Sequence, residues 1–186
     1  MIQSIDPAAC TGCGSCTKTC PLDVFRLETA QEQISPCMAA CPAGVDIRGN
    51  HYLIQQGNLD EAARNYLAVQ PFPAITGRVC FHPCESACAR ARVDSAVNIN
   101  AVEHVLGDWA AQMPLEKPVR RHISKVAVVG SGPAGLSCAW FLALMGYPVT
   151  VFEARPFPGG MLRYGIPAYR LPDEGMELQI RKIRDA

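Results

Sequence analysis

Ten cysteines in 186 residues, nine of them before residue 89, restrict this chain more than any other feature. Cysteine at that density serves either a disulfide framework or metal and redox chemistry, and the compartment decides between them. Met1 runs directly into Ile2, Gln3, Ser4, Ile5, Asp6 and Pro7 without a basic or apolar stretch. No secretory signal is legible there, so the expected location is the cytoplasm, where thiols stay reduced and bind metals. Apolar residues make up 49% of the chain and charged residues 18%, a balance that suits packed units rather than disorder. The 17 basic and 17 acidic residues cancel, which argues against a nucleic-acid surface. The longest apolar run, residues 138–145, is too short for membrane insertion.

The first cysteines are tightly ordered. Cys10-x-x-Cys13-x-x-Cys16-x-x-x-Cys20-Pro21 has the spacing of the bacterial ferredoxin loop, in which three thiolates grip three corners of one 4Fe–4S cube and the fourth serves another cluster. Gly12 and Gly14 let the backbone wrap close to the sulfides. A structural zinc site is the alternative, although zinc sites pair their cysteines across a longer spacer. The run occurs once. Cys37-x-x-x-Cys41-Pro42 echoes only its second half, so spacing leaves the remote fourth ligand of the first cluster open. Residues 24–27 read as a short strand.

Beyond them the pattern turns helical. Leu59, Ala62, Ala63, Tyr66 and Leu67 recur at helical spacing before the breaker Pro71-Phe72-Pro73, and Ile99, Val102, Leu106 and Trp109 repeat the pattern before Pro114. Around these lie Cys37, Cys41, Cys80, Cys84 and Cys88. The stretches Ser35-Pro36-Cys37-Met38-Ala39-Ala40-Cys41-Pro42-Ala43-Gly44-Val45-Asp46-Ile47 and Gly77-Arg78-Val79-Cys80-Phe81-His82-Pro83-Cys84-Glu85-Ser86-Ala87-Cys88 resemble the helical iron–sulfur domain of the glutamate synthase small (β) subunit and of dihydropyrimidine dehydrogenase. The resemblance covers residues 35–186. It implies that Cys41, Cys80, Cys84 and Glu103 hold one cluster, Glu103 standing where dihydropyrimidine dehydrogenase has a glutamine ligand, and that Cys37 and Cys88 contribute to the other. Two further cysteines of fuller family members are Thr29 and Glu32 here. Either the N-terminal run lends thiolates to that second cluster, or it holds its own while the later set holds one; both give two 4Fe–4S clusters. For Glu103 a solvated helix carboxylate is the competing reading. His82 is read as supporting the cluster from behind its ligands, and Arg78 as either a donor to cluster sulfur or a surface arginine.

From Lys125 the pattern changes again. Val126-Ala127-Val128-Val129 leads into Gly130-Ser131-Gly132-Pro133-Ala134-Gly135, a G-x-G-x-x-G turn between a strand and a helix, which is the context that makes this motif informative. Gly130 permits the turn, Gly132 admits a pyrophosphate and Gly135 allows close helix packing, while the helix start, with Pro133 and Ala134, offers free N–H groups to phosphate. Glu153 closes the second strand, where an acid accepts from ribose hydroxyls. Cys138, on the motif's helix, reads as a small buried packing residue. Pro158-Gly159-Gly160-Met161-Leu162-Arg163-Tyr164-Gly165-Ile166-Pro167 and Arg170-Leu171-Pro172 resemble the flavin half of the same family. That resemblance implies FAD at the first Rossmann unit, with Gly159, Gly160 and Arg163 against it, and NAD(P)H at a second unit beyond residue 186.

The expected fold class is therefore an α+β multi-unit chain. It comprises a ferredoxin-like 4Fe–4S segment (1–35), an α-helical 4Fe–4S domain (36–114), a linker (115–124) and the start of an α/β Rossmann-type FAD-binding domain (125–186). A Rossmann unit needs more strands than these, so a fragment of a longer protein is expected. The expected function is an NAD(P)H-linked iron–sulfur flavoprotein oxidoreductase of the glutamate synthase β type. It would pass electrons between NAD(P)H, FAD and clusters to a larger catalytic or electron-accepting subunit or a ferredoxin. No residue reads as a catalytic acid, base or nucleophile. The alternatives are a non-enzymatic electron carrier or adaptor, and a zinc-bound interaction module.

Overall fold

The computed structural model describes residues 34–115 and 117–186; the run from Cys10 to Cys20 and the strand expected at 24–27 lie outside them. The elements in order are α1 (Pro36–Ala39), α2 (Ile47–Gln55), α3 (Leu59–Val69), α4 (Pro73–Val79), α5 (Pro83–Ser86), a 3-10 turn (Ala89–Arg92), α6 (Ile99–Gln112), β1 (Val126–Val129), α7 (Pro133–Leu144), β2 (Val149–Phe152), α8 (Met161–Tyr164) and α9 (Asp173–Asp185). This is a helical domain followed by the start of a Rossmann-like unit.

Local chemistry sets the helix starts. Proline occupies the first turn of α1, α4, α5 and α7, where its missing N–H would have no helical partner anyway. Asp46 caps α2 by accepting from Gly49 N at 2.9 Å, and Asn98 caps α6 by accepting from Ala101 N at 3.3 Å.

The helical domain is organised around the α4–α6 contact. A Cβ on Gly107 would lie 2.4 Å from the Pro73 carbonyl oxygen, so the two helices approach backbone to backbone. That approach decides which face of α6 is buried: Ile99, Glu103, Leu106, Gly107 and Ala110. The sequence stripe placed Trp109 on this face, but Trp109 is 47% exposed and donates from Nε1 to Asp60 at 2.8 Å. The helix is rotated to turn Gly107 onto α4, which carries Trp109 outward. Gly107→Ala is expected to cost roughly 2–3 kcal/mol, a fall of about 5–10 °C in Tm measured by circular dichroism; an unchanged Tm would mean that this close approach is absent in solution.

β1 and β2 pair in parallel with Val126 opposite Val149 and Val129 opposite Phe152, and α7 crosses between them as a βαβ unit requires. Its buried side chains are Leu136, Ala139 and Trp140. Cys138 is exposed rather than buried as expected, because it lies on the face of α7 turned away from those contacts.

The two units share one core. Tyr66, Ile75 and Ile99 from the helical domain and Trp140, Met176 and Ile180 from the second unit belong to a single buried cluster, each side chain contributing about 1.5–3 kcal/mol by leaving water. α9 packs on α4, α6, α7 and α8. The seam is also hydrogen-bonded: Ala74 N donates to the fully buried Gln179 Oε1 at 3.2 Å, and Trp140 Nε1 donates to the Leu67 carbonyl at 3.2 Å. Residues 117–125 form no helix or strand, yet Arg121 N and His122 N both donate to the Gly146 carbonyl, at 3.0 and 3.2 Å. Among the described residues no helix is long and apolar enough to cross a membrane.

Candidate iron–sulfur and dinucleotide sites

The cysteines of the helical domain sit at helix ends. Cys80 follows α4, Cys84 lies in the first turn of α5 and Cys88 follows α5. Between Cys80 and Cys84, His82 adopts a left-handed conformation, with φ of 41°, which few non-glycine residues adopt. This reversal turns the chain from α4 into α5, and it aims the His82 N–H at Cys80 Sγ, 3.2 Å away.

Cys41, Cys80 and Glu103 all lie close enough to Cys84 for their charges to act on it. Burial pushes the Cys84 thiol up to about 12, and the negative charges of Glu103, Cys41 and Cys80 add to the effect. Glu103 is only 9% exposed, so the solvated-carboxylate reading does not hold. Burial raises its pKa, against a hydrogen bond from Tyr66 and the nearby His82. Tyr66, 1% exposed, is raised by its own burial and by Glu103. Nothing in the sequence singled out Tyr66, because a tyrosine in an apolar helical stripe reads as ordinary core.

Cys84 and Glu103 are buried and Cys41 and Cys80 half-buried; ionised together they repel one another, and the arrangement suits a cationic iron core that neutralises them. Arg78 does not do so: its guanidinium grips Asp108 at 2.6 and 2.9 Å. Two buried polar atoms nearby, His82 Nδ1 and Asn100 Nδ2, have no protein partner, and cluster sulfides would accept from such groups. Among the described residues no three His, Cys, Asp or Glu side chains gather tightly enough for a single metal ion; a four-iron cube spreads its ligands more widely. By its chemistry, three thiols and a carboxyl, the donor set suits a 4Fe–4S cluster.

Cys37 and Cys88 face elsewhere. Both line a cavity of about 760 Å³ bounded by α1, α2 and the 3-10 turn, together with His51 and Arg90. Cys88 Sγ accepts from Val97 N at 3.5 Å, and Cys37 Sγ lies 3.4 Å from Ser35 Oγ.

The glycine turn is equally well defined. Gly130 N donates to the Phe152 carbonyl at 2.7 Å, closing the turn onto β2. A Cβ at Gly135 would stand 2.0 Å from the Gly130 carbonyl oxygen, so α7 starts directly against the turn, with Pro133 and Ala134 exposed at its first residues. The Gly159–Gly160 pair docks on the same turn: Gly159 N donates to Ser131 O at 3.0 Å, and a Cβ at Gly160 would lie 2.7 Å from Gly132 Cα. Glu153 reaches back into the turn, accepting from Ser131 N at 2.9 Å and from the Ser131 hydroxyl. Its other oxygen accepts from Arg155 N at 2.8 Å. These bonds, the hydroxyl's first, hold the Glu153 carboxyl down at about 2, so it is anionic at neutral pH. Ser131 and Glu153 border a cavity of about 630 Å³ that also reaches Val151, Pro158 and Ile180. Arg163 is not part of this gathering. Its Nε donates to the Pro158 carbonyl at 2.8 Å, and its guanidinium pairs with Glu177 on α9.

A thiol–carboxyl nest in one unit and a glycine turn in a second unit that shares its core are the features of an iron–sulfur and dinucleotide-binding class of protein. Comparison with known proteins agrees. Residues 30–115 match the family described as dihydropyrimidine dehydrogenase domain II, 4Fe–4S cluster. Residues 128–175 match the NAD(P)-binding Rossmann-like domain, and residues 1–22 a 4Fe–4S binding domain. The chain is 43% identical over 158 residues to NADPH-Fe(3+) oxidoreductase subunit beta of Geobacter sulfurreducens, aligning 82% of this chain with 23% of that protein. It is 36% identical over 153 residues to the NAD-dependent dihydropyrimidine dehydrogenase subunit PreT of Escherichia coli strain K12, covering 80% of this chain and 37% of that one. With the glutamate synthase [NADPH] small chain of Bacillus subtilis it shares 36% over 179 residues, 86% of this chain and 36% of the relative. The chain thus joins 4Fe–4S domains to an NAD(P)-binding Rossmann-like domain and is homologous to this group of oxidoreductase subunits, spanning about a quarter to just over a third of their length.

Proposed function

We propose that this chain is part of an NAD(P)H-linked iron–sulfur flavoprotein oxidoreductase that carries electrons between a nicotinamide nucleotide and a partner protein. The observation that carries the reading is the convergence of Cys41, Cys80, Cys84 and Glu103 in a unit that shares its core with a glycine turn. FAD in the turn would take a hydride from NAD(P)H and release its electrons singly to the clusters.

The residues have separable tasks. Cys41, Cys80, Cys84 and Glu103 hold one cluster. His82 donates its backbone N–H to the Cys80 sulfur, a contact that stabilises the reduced, more negative state and so raises the potential. The second cluster draws on the run Cys10, Cys13, Cys16 and Cys20, either alone or with thiolates shared with Cys37 and Cys88. In the turn, Gly130, Gly132 and the start of α7 receive the pyrophosphate, and Glu153 receives ribose hydroxyls. Relatives named as a subunit or a small chain support a separate electron-accepting subunit, with glutamate synthesis one possible destination. A location in the cytoplasm fits the reduced thiols.

The test is iron and acid-labile sulfide per chain after anaerobic reconstitution. About eight of each is expected for two 4Fe–4S clusters. About four would remove one cluster from the scheme, and bound zinc with iron near zero would overturn it.

A further inference from the structure

Ser131 is the second residue of the glycine turn, a position that the G-x-G-x-x-G pattern leaves unspecified. Its side chain is nevertheless 1% exposed and fully engaged. The hydroxyl donates to Glu153 Oε2 and accepts from Gly159 N at 3.3 Å, while the Ser131 amide donates to the same Glu153 oxygen at 2.9 Å. The Ser131 carbonyl takes a second bond from Gly159 N, at 3.0 Å. One buried residue thereby ties together the turn after β1, the acid after β2 and the loop before α8.

Resting on the nucleotide-binding reading above, we propose that Ser131 is a positioning residue for the ribose of an adenine nucleotide. Two donors from Ser131 fix Oε2 of the Glu153 carboxylate and the Arg155 amide holds Oε1 at 2.8 Å, which sets the plane of the group at the edge of the cavity while Oε1 keeps a lone pair for a ribose hydroxyl. Because the Ser131 hydroxyl is buried, water does not reach the donor side of these bonds, and the acid is ordered before the ligand arrives. The bond to Gly159 carries the same ordering to the loop that covers the turn. Ser131 acts through Glu153 and not by touching the phosphates.

A purely space-filling serine would affect all nucleotides alike, whereas a residue that aims Glu153 affects only those with ribose hydroxyls. The experiment is titration calorimetry of the intact, cluster-loaded protein with ADP and with 2′,3′-dideoxy-ADP, for the wild type, Ser131→Ala, Glu153→Gln and the double variant, with iron content and circular dichroism confirming that each is folded. Ser131→Ala is expected to weaken ADP about tenfold or more and to leave dideoxy-ADP nearly unchanged, and the double variant to bind ADP no more weakly than Glu153→Gln alone. Equal weakening of both nucleotides, or losses that multiply in the double variant, would overturn the positioning role and leave the nucleotide site standing. A wild-type protein that binds neither ADP nor FAD would overturn the nucleotide reading itself.

Discussion

Cys84→Ser is expected to remove about four irons and four sulfides from each chain, halving the brown absorbance of the reconstituted protein. Cys84 is the most enclosed thiol of the nest, 4% exposed, and it lies within the fields of Glu103, Cys41 and Cys80. A serine hydroxyl is nearly the same size but harder and far less acidic, so it is a poor partner for iron that prefers soft thiolate. Glu103 would then be left buried beside the remaining thiols without the cationic core, and thermal stability should fall together with iron. Cys138→Ser is the matched control. Cys138 is exposed on α7, so iron, sulfide and Tm should all stay at wild-type values. Iron unchanged in Cys84→Ser would remove Cys84 from the ligand set.

Gly135→Val should abolish flavin and ADP binding while leaving iron intact. Even one added carbon would meet the Gly130 carbonyl oxygen at 2.0 Å, so the valine must push α7 away from the turn that its N-terminus supports. Overpacking of this kind costs about 1–3 kcal/mol, and here the displacement falls on the phosphate-facing backbone. The cysteine nest does not touch this turn, so iron per chain should stay near the wild-type figure. Retained flavin at wild-type affinity would show that α7 does not need to start against the turn; lost iron would show that the two units fail together.

The sequence made the cysteine groups and the glycine turn legible because both depend on short spacing. Helix boundaries followed from prolines and apolar periodicity. Face assignments were harder: Trp109 fits the stripe of α6, but the stripe has no means of recording that Gly107 must face Pro73. Glu103 stands out only through family resemblance, since a glutamate between Val102 and His104 looks solvated on its own, and the residues beside it do not record its burial. Ser131 and Tyr66 were missed for a different reason. Ser131 acts on Glu153, 22 residues away, and Tyr66 lies beneath Glu103 on another helix, so neither partnership leaves a local trace. The seam between the units is longer-ranged still, joining residues 105 apart at Ala74 and Gln179.

That seam bears on timing. Units joined only by a tether swing apart by default, and their traffic is then gated by how often they meet. Here Gln179, Trp140 and a common apolar core stitch them together, so redox centres held on either side keep one fixed separation. On the proposed function, electron passage across the seam should therefore be nearly insensitive to solvent viscosity, as in a soldered wire rather than a swinging contact.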